Sequence, residues 1–189
     1  DQKNYDTATF YSISNCQKGL SRVTLGNFLI KRVVYEIQEE LPHIKNFGTL
    51  SPIPGFADWF SYLEESKIKN ILGNLKDQNI SFLKSQDMKI GDNRIIENKE
   101  AIIKLVTHYI VNEKNEKGLP VNDVSRFHLS NGAIVEDIVV NANISEAGYK
   151  RSYGVMVNYL YELKNIEKNH EDYMNKNKVI VSDKIKKYL

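Results

Sequence analysis

The stretch that decides the fold runs from residue 9 to residue 56, TFYSISNCQKGLSRVTLGNFLIKRVVYEIQEELPHIKNFGTLSPIPGF. Its first run, Thr9 to Ser14, is rich in strand-forming residues and passes into a polar loop, Asn15 to Ser21, that contains Gly19. Beyond Gly26, apolar side chains recur at Ile30, Val33, Val34, Ile37 and Leu41, while Lys31, Glu36, Glu39 and Glu40 fall mostly off that stripe. Such spacing predicts an amphipathic helix, which stops near Pro42. Ile44 to Ile53 then reads as a second strand with Phe47 and Leu50 facing inward. Pro52 and Pro54 close it, because proline has no N–H to give a central ladder. Strand, helix and strand at these separations make a parallel β–α–β unit.

Residues 57–118 predict a helical insertion. Trp59, Phe60 and Leu63 form one stripe, and Ile102, Ile103, Val106 and Ile110 another, around a polar middle with Gly73 and Gly91. In VNDVSRFHLSNGA, Asn122 or Asp123 can cap a short helix and Asn131-Gly132 can stop it. A hairpin turn at Asn131-Gly132 is the competing reading. Strand-like runs follow at Ala133 to Val140 and Tyr153 to Leu163, and the charged tail ends in a helix from Ser182. There is no internal repeat.

With 189 residues, 41% of them hydrophobic and 10% aromatic, the chain suits one globular domain with a packed core. Twenty-six Lys and Arg against 24 Asp and Glu leave a net charge of only +2, which speaks against nucleic acid as a partner. No apolar run approaches a membrane span, so membrane insertion is not expected. The single cysteine, Cys16, cannot form an internal disulfide and reads as a small filler. His43, His108, His128 and His170 are too scattered to suggest zinc, and a reducing compartment without structural metal is expected. The chain opens at Asp1 without a methionine, which suggests a fragment.

A helix that starts just after a glycine-containing loop offers unpaired N–H groups at its positive end, and these suit a pyrophosphate. QKGLSRVTLGN, Gln17 to Asn27, has this form, with Gly19 and Gly26 permitting close approach and Lys18 and Arg22 supplying charge. Its spacing matches neither the dinucleotide fingerprint nor the P-loop, so a plain turn is the alternative. Local evidence likewise makes Ser51, before a proline, turn chemistry, and His128, between Phe127 and Leu129, a half-buried satisfied histidine.

Three segments together carry more. FYSISNCQKGLSRVTLGNFLIKRVVYEIQEELP (10–42), FGTLSPIPGF (47–56), and VSRFHLSNGAIVEDI (124–138) followed by GVMVNYLYEL (154–163) resemble, in order and spacing, the C-terminal catalytic domain of malonyl-CoA decarboxylase. SPIPGF and FHLxNGA are specific to that family. The resemblance covers most of residues 7 to 163 and implies an α+β fold, a mixed central sheet with flanking helices of acetyltransferase-like (GNAT) type. It makes 1–189 an incomplete fragment, the C-terminal part of that catalytic domain. The implied activity is decarboxylation of malonyl-CoA to acetyl-CoA and carbon dioxide in fatty acid metabolism, a carboxy-lyase without metal or organic cofactor. Ser51 and His128 are implied as the catalytic pair. Ser21, Arg22, Val23, Thr24, Leu25, Gly26 and Asn27 are implied as the substrate-binding loop. The first strand and the strand ending at Ser51 are implied to splay apart and admit the pantetheine arm. A homo-oligomer built through an N-terminal domain is implied, in the cytoplasm or, alternatively, the mitochondrial matrix. The family's Trp-Met-Ala-Asp stretch is replaced here by Val140-Asn-Ala-Asn143, an amide for a carboxylate.

Decarboxylation passes through a thioester enolate, so a catalyst must orient the carboxylate, stabilise an oxyanion and protonate carbon. Ser51, stiffened by Pro52 and Pro54, can hydrogen-bond the malonyl group. His128, with an unperturbed pKa of about 6.5, is expected to hold a proton near neutrality and deliver it. Alternation places Tyr159 and Tyr161 on one strand face, as packing residues. An acyl-CoA-dependent N-acyltransferase, or a non-catalytic CoA-binding module relying on Lys18 and Arg22, are the alternative functions.

Overall fold

The computed structural model describes residues 5–10, 26–75, 77, 80–85 and 88–189. Strand β1 (Thr7–Phe10), helix α1 (Gly26–Glu40) and strand β2 (Asn46–Pro52) form the expected unit, β1 pairing in parallel with β2 from Thr7 opposite Asn46 to Phe10 opposite Thr49. Residues 11–14 of the predicted first strand, and the splaying of the two strands beyond Phe10, lie outside the described residues, as does Cys16. α1 buries Ile30 and Val34, while Leu41, placed on the same stripe by periodicity, lies past the helix end and is 45% exposed.

The chain then leaves the sheet for α2 (Phe56–Ser61), α3 (Glu65–Leu72), α4 (Asn93–Glu97) and α5 (Lys99–Val111). The stripes at Phe60, Leu63, Ile102, Val106 and Ile110 are buried, as periodicity required. A short helix α6 (Asp123–Ser130) leads into β3 (Ile134–Val139), α7 (Glu146–Ser152), β4 (Met156–Leu160), α8 (Ile166–Lys176) and α9 (Asp183–Lys186). α7 and α8 were not expected from the sequence. α8 buries only Ile166, Asn169 and Tyr173 on a charged surface, too thin a stripe to register as a helical pattern.

The sheet order is β1-β2-β4-β3, with β4 antiparallel to both neighbours. Mixed sheet and flanking helices together are the α+β architecture expected. The tail covers the outer edge of β3, where Val135 N–H donates to Ile180 O and Ser182 N–H to Val135 O. Edge coverage of this kind removes an open row of peptide groups. Among the described residues no helix is long and apolar enough to cross a membrane.

One expectation about β2 is corrected. Phe47, Thr49 and Ser51 are its fully buried alternating set, and Leu50 is only half-buried and outside the apolar core. Side chains alternate across a strand, so Phe47 and Leu50, three apart, must occupy opposite faces. The inward face therefore carries two hydroxyls where the apolar pattern suggested a leucine.

Candidate active site

Turn chemistry at the end of β2 begins the site. Pro54 leads into Gly55, which sits at φ +82°, and a Cβ there would also meet the Tyr109 hydroxyl at 2.8 Å. Only glycine takes that backbone conformation cheaply, so the chain can turn straight from the strand into α2. The Pro54 carbonyl accepts from the Asn122 side-chain amide at 2.8 Å and from the Tyr109 hydroxyl at 3.3 Å.

Asn122 does a second job. Its Oδ1 accepts from the backbone N–H of Ser125 at 2.8 Å and from the Ser125 hydroxyl at 3.0 Å, which caps α6. At the other end, Ala133 N–H donates to His128 O and Gly132 N–H to Leu129 O, with Gly132 at φ +82°. That is the Schellman pattern, and it decides for the helix over the hairpin at Asn131-Gly132. Both ends of α6 are thus fixed, and one cap atom set ties the helix to the turn after Ser51.

His128 faces the sheet from the last turn of α6. Ser51 Oγ lies 2.9 Å from His128 Nε2, although 77 positions separate the two residues in the chain. Both are buried, Ser51 6% and His128 4% exposed. Thr49 Oγ1, two residues back on the same face of β2, is 3.0 Å from Ser51 Oγ. From β4 and the residue just past it come two tyrosines. Tyr161 Oη is 2.8 Å from His128 Nδ1, and the Tyr159 ring stacks on the imidazole at 4.4 Å and 21°. Tyr159 Oη is in turn 2.8 Å from Ser125 Oγ. The strand register produces this grouping, since Thr49 lies opposite Tyr159 and Ser51 opposite Val157.

The hydroxyl of Tyr161 has no other hydrogen-bond partner among the described residues, so its proton is satisfied by donation to Nδ1. The neutral imidazole then carries its own proton on Nε2, which donates to Ser51 Oγ. Ser51 is left with a hydroxyl proton to direct at Thr49 or at a ligand. Burial pushes the His128 pKa down to about 4, with no ionised neighbour among the described residues to offset it. The expectation of a histidine protonated near neutrality is corrected: burial among these groups leaves the imidazole neutral. Burial likewise raises both tyrosines above the usual phenol range, and they remain uncharged.

Of the residues singled out from sequence, Ser51 and His128 come together. Ser21, Arg22, Val23, Thr24 and Leu25, with Lys18, lie outside the described residues, and Gly26 and Asn27 form the first backbone turn of α1. Asn143 belongs to a turn: its Oδ1 accepts from Ser145 N–H at 3.1 Å and from the Ser145 hydroxyl at 2.7 Å. Among the described residues, none of its hydrogen bonds leads to Ser51 or His128. The sequence reading placed Tyr159 and Tyr161 on one face but missed their hydroxyls, and missed Thr49 altogether. Only the period-2 register of β2 could have flagged Thr49.

An α+β domain with a parallel β–α–β core, and a buried serine–histidine pair where its central strand ends, defines the class. The sequence model of the malonyl-CoA decarboxylase C-terminal domain matches residues 1–189, and the chain belongs to that family. It is 34% identical to the mitochondrial malonyl-CoA decarboxylase of Anser anser anser, over 98% of this chain and 40% of the relative. Against the Rattus norvegicus protein of the same name it is 35% identical, over 94% of this chain and 40% of the relative. Among solved structures, malonyl-CoA decarboxylase from Cupriavidus metallidurans aligns with a TM-score of 0.83 and 36% identity, covering 97% of this chain and 48% of that one. The Rhodopseudomonas palustris protein gives 0.78 and 36%, covering 98% and 43%. The chain thus spans about two fifths of the length of the curated relatives it matches.

Proposed function

We propose that this chain forms the catalytic part of a carboxy-lyase that converts malonyl-CoA to acetyl-CoA and carbon dioxide in fatty acid metabolism. The observation that carries the reading is the 2.9 Å contact between Ser51 Oγ and His128 Nε2. It joins the two motifs, SPIPGF and FHLSNGA, that resemble the family most specifically.

The chemistry suits the groups present. As the C–C bond breaks, its electron pair moves into the thioester carbonyl, so no further electron sink is needed. Ser51, accepting from His128 Nε2–H, points its own hydroxyl proton at the thioester oxygen as charge develops there, a preorganised dipole in a dry site. Thr49 holds the serine rotamer from behind. The loop Ser21–Asn27, at the start of α1, binds the CoA phosphates on the free N–H groups of that helix end. Helices α2–α5 occupy the segment assigned as an insertion at about 57–118, and oligomerisation runs through an N-terminal region as a homo-oligomer. The word mitochondrial in the names of the curated relatives favours the matrix over the cytoplasm.

The test is release of carbon dioxide from malonyl-CoA by the protein at its full natural length, with neither amine nor metal added. Turnover is expected, with loss of about a hundredfold or more in kcat on Ser51→Ala or His128→Gln. Product formed only when an amine is supplied would replace this reading with the acyltransferase. Full activity in the Ser51→Ala, His128→Gln double variant would remove the site assignment.

A further inference from the structure

The catalysed reaction, on the reading above, consumes one proton for each carbon dioxide released. A malonyl thioester carboxylate plus H⁺ gives an acetyl thioester plus CO2, and the proton ends on carbon. The site has to obtain that proton from solvent and hold it at the right moment. In a serine–histidine–aspartate arrangement, a buried carboxylate on Nδ1 stabilises the imidazolium. Here Nδ1 meets the phenol of Tyr161 at 2.8 Å.

Among the described residues, the groups facing the imidazole are uncharged. β2 contributes the hydroxyls of Thr49 and Ser51. From the β4 side come the phenols of Tyr159 and Tyr161, both pushed above their usual range by burial. α6 contributes Ser125 and the ring of Phe127, 5.2 Å away. The cation nearest in sequence, Arg126, is directed to the start of its helix, where it donates to Pro120 O and Val121 O. On α8, which packs against α6, His170 Nδ1 is engaged with Ser130 O at 2.6 Å. Among the described residues, therefore, no carboxylate is placed to balance a charge on His128.

We infer that the substrate's own carboxylate is the missing counterion, so that His128 takes up a proton from solvent when a malonyl thioester binds and not when its product is bound. The inference rests on the function proposed above. Before binding, desolvation keeps the imidazole neutral, with a pKa near 4. A carboxylate set beside Ser51 and Nε2 favours the imidazolium and raises that pKa. The Tyr161 phenol accommodates both states: it donates to bare Nδ1, and by turning its O–H it accepts from Nδ1–H once the ring is charged. When the C–C bond breaks and CO2 leaves, the enolate carbon takes the Ser51 hydroxyl proton while Nε2–H moves to Ser51 Oγ. Serine is restored, and the ring is neutral again with its proton on Nδ1, from which it returns to the resting Nε2–H tautomer as Tyr161 turns its O–H back to Nδ1. The acetyl thioester has no carboxylate, so nothing holds a second proton on the ring until the next substrate arrives. Specificity for a carboxylate-bearing acyl group follows, since other acyl thioesters never charge the acid.

Proton uptake tests this directly. The full-length protein at pH 7 is titrated calorimetrically, in buffers of different ionisation enthalpy, with acetyl-CoA and with the amide analogue of malonyl-CoA, whose carbonyl is a poor electron sink. Close to one proton taken up with the malonyl analogue, and about none with acetyl-CoA, is expected. That requires the acid dissociation constant of His128 to fall by about ten-thousandfold or more. His128→Gln should bind the analogue without uptake. In parallel, nitrogen NMR of labelled native protein should show the His128 ring passing from the neutral to the doubly protonated pattern on adding the analogue, which needs no variant. A neutral ring with the analogue bound, or undiminished uptake in His128→Gln, overturns the inference even if carbon dioxide is released. Absence of carbon dioxide release from malonyl-CoA overturns the function instead.

Discussion

Asn122 links the turn after Ser51 to the helix that carries His128, and replacing it separates two roles in one side chain. Its oxygen caps α6 at Ser125, and its nitrogen holds the Pro54 carbonyl at 2.8 Å. Asn122→Ala removes both. Loss of the cap costs about 1 kcal/mol. The lost bond to Pro54 adds about 1 kcal/mol, because Tyr109 at 3.3 Å remains as a second, longer partner for that carbonyl. The total expected is about 2 kcal/mol. Asn122→Asp keeps the acceptor, and so the cap, but turns an oxygen toward the Pro54 carbonyl in a site that is 2% exposed. That mismatch costs about 1–3 kcal/mol on its own. Urea unfolding at 25 °C reads the stabilities. Because the tether sets the Ser51–His128 approach, carbon dioxide release from malonyl-CoA should fall about tenfold or more in both variants, a loss of about 1.4 kcal/mol in transition-state stabilisation. If Asn122→Asp matches the native protein in both measurements, or if Asn122→Ala loses stability with kcat/KM untouched, the tether does not position the pair.

Tyr161→Phe leaves the fold and volume in place but strands the buried Nδ1 of His128, a cost of about 1–3 kcal/mol; kcat should fall about tenfold or more with a smaller change in KM, and an unchanged pH–rate profile would show that the phenol does not act through the histidine. His128 also makes stability depend on pH. Its folded pKa, about 4, lies below the unfolded value of about 6.5, so between these values the unfolded chain binds more protons. Its contribution is therefore intact above about pH 6.5 and is lost as pH falls toward 4, amounting to about 3 kcal/mol. Urea midpoints from pH 4 to 7 should show that slope in the native protein and a flatter one in His128→Gln; parallel slopes would mean the imidazole is not buried neutral. Gly132→Ala is expected to abolish stable folding, because the backbone there is left-handed and the added Cβ would run into the Ile166 carbonyl. A variant with native circular dichroism and unfolding midpoint would contradict the packing at the end of α6.

Much of this was legible because it is local chemistry. A cap at Asn122 or Asp123, a helix stop or hairpin turn at Asn131-Gly132 and the turn signalled by Pro52, Pro54 and Gly55 are each written in a few adjacent residues, and the structure chose between the alternatives. α8 was not legible, since it is stabilised by three buried side chains on a charged surface and by docking against α6. Leu50 shows how an apolar residue misleads: hydrophobicity suggested the inner face, and strand alternation gives that face to Thr49 and Ser51.

By itself the sequence determined the β–α–β order and, through two short motifs, which serine and which histidine to watch. Turn, cap and periodicity signals act over a few residues and survive in a linear reading. That Ser51 reaches His128, that Tyr161 answers the far nitrogen where a catalytic triad places a carboxylate, and that the imidazole is neutral were decided only by the tertiary structure. These depend on the pairing register of β2 with β4 and on how completely water is excluded around one ring. Desolvation and hydrogen-bond partnership belong to groups brought together in space, and neither is carried by any one segment of the chain.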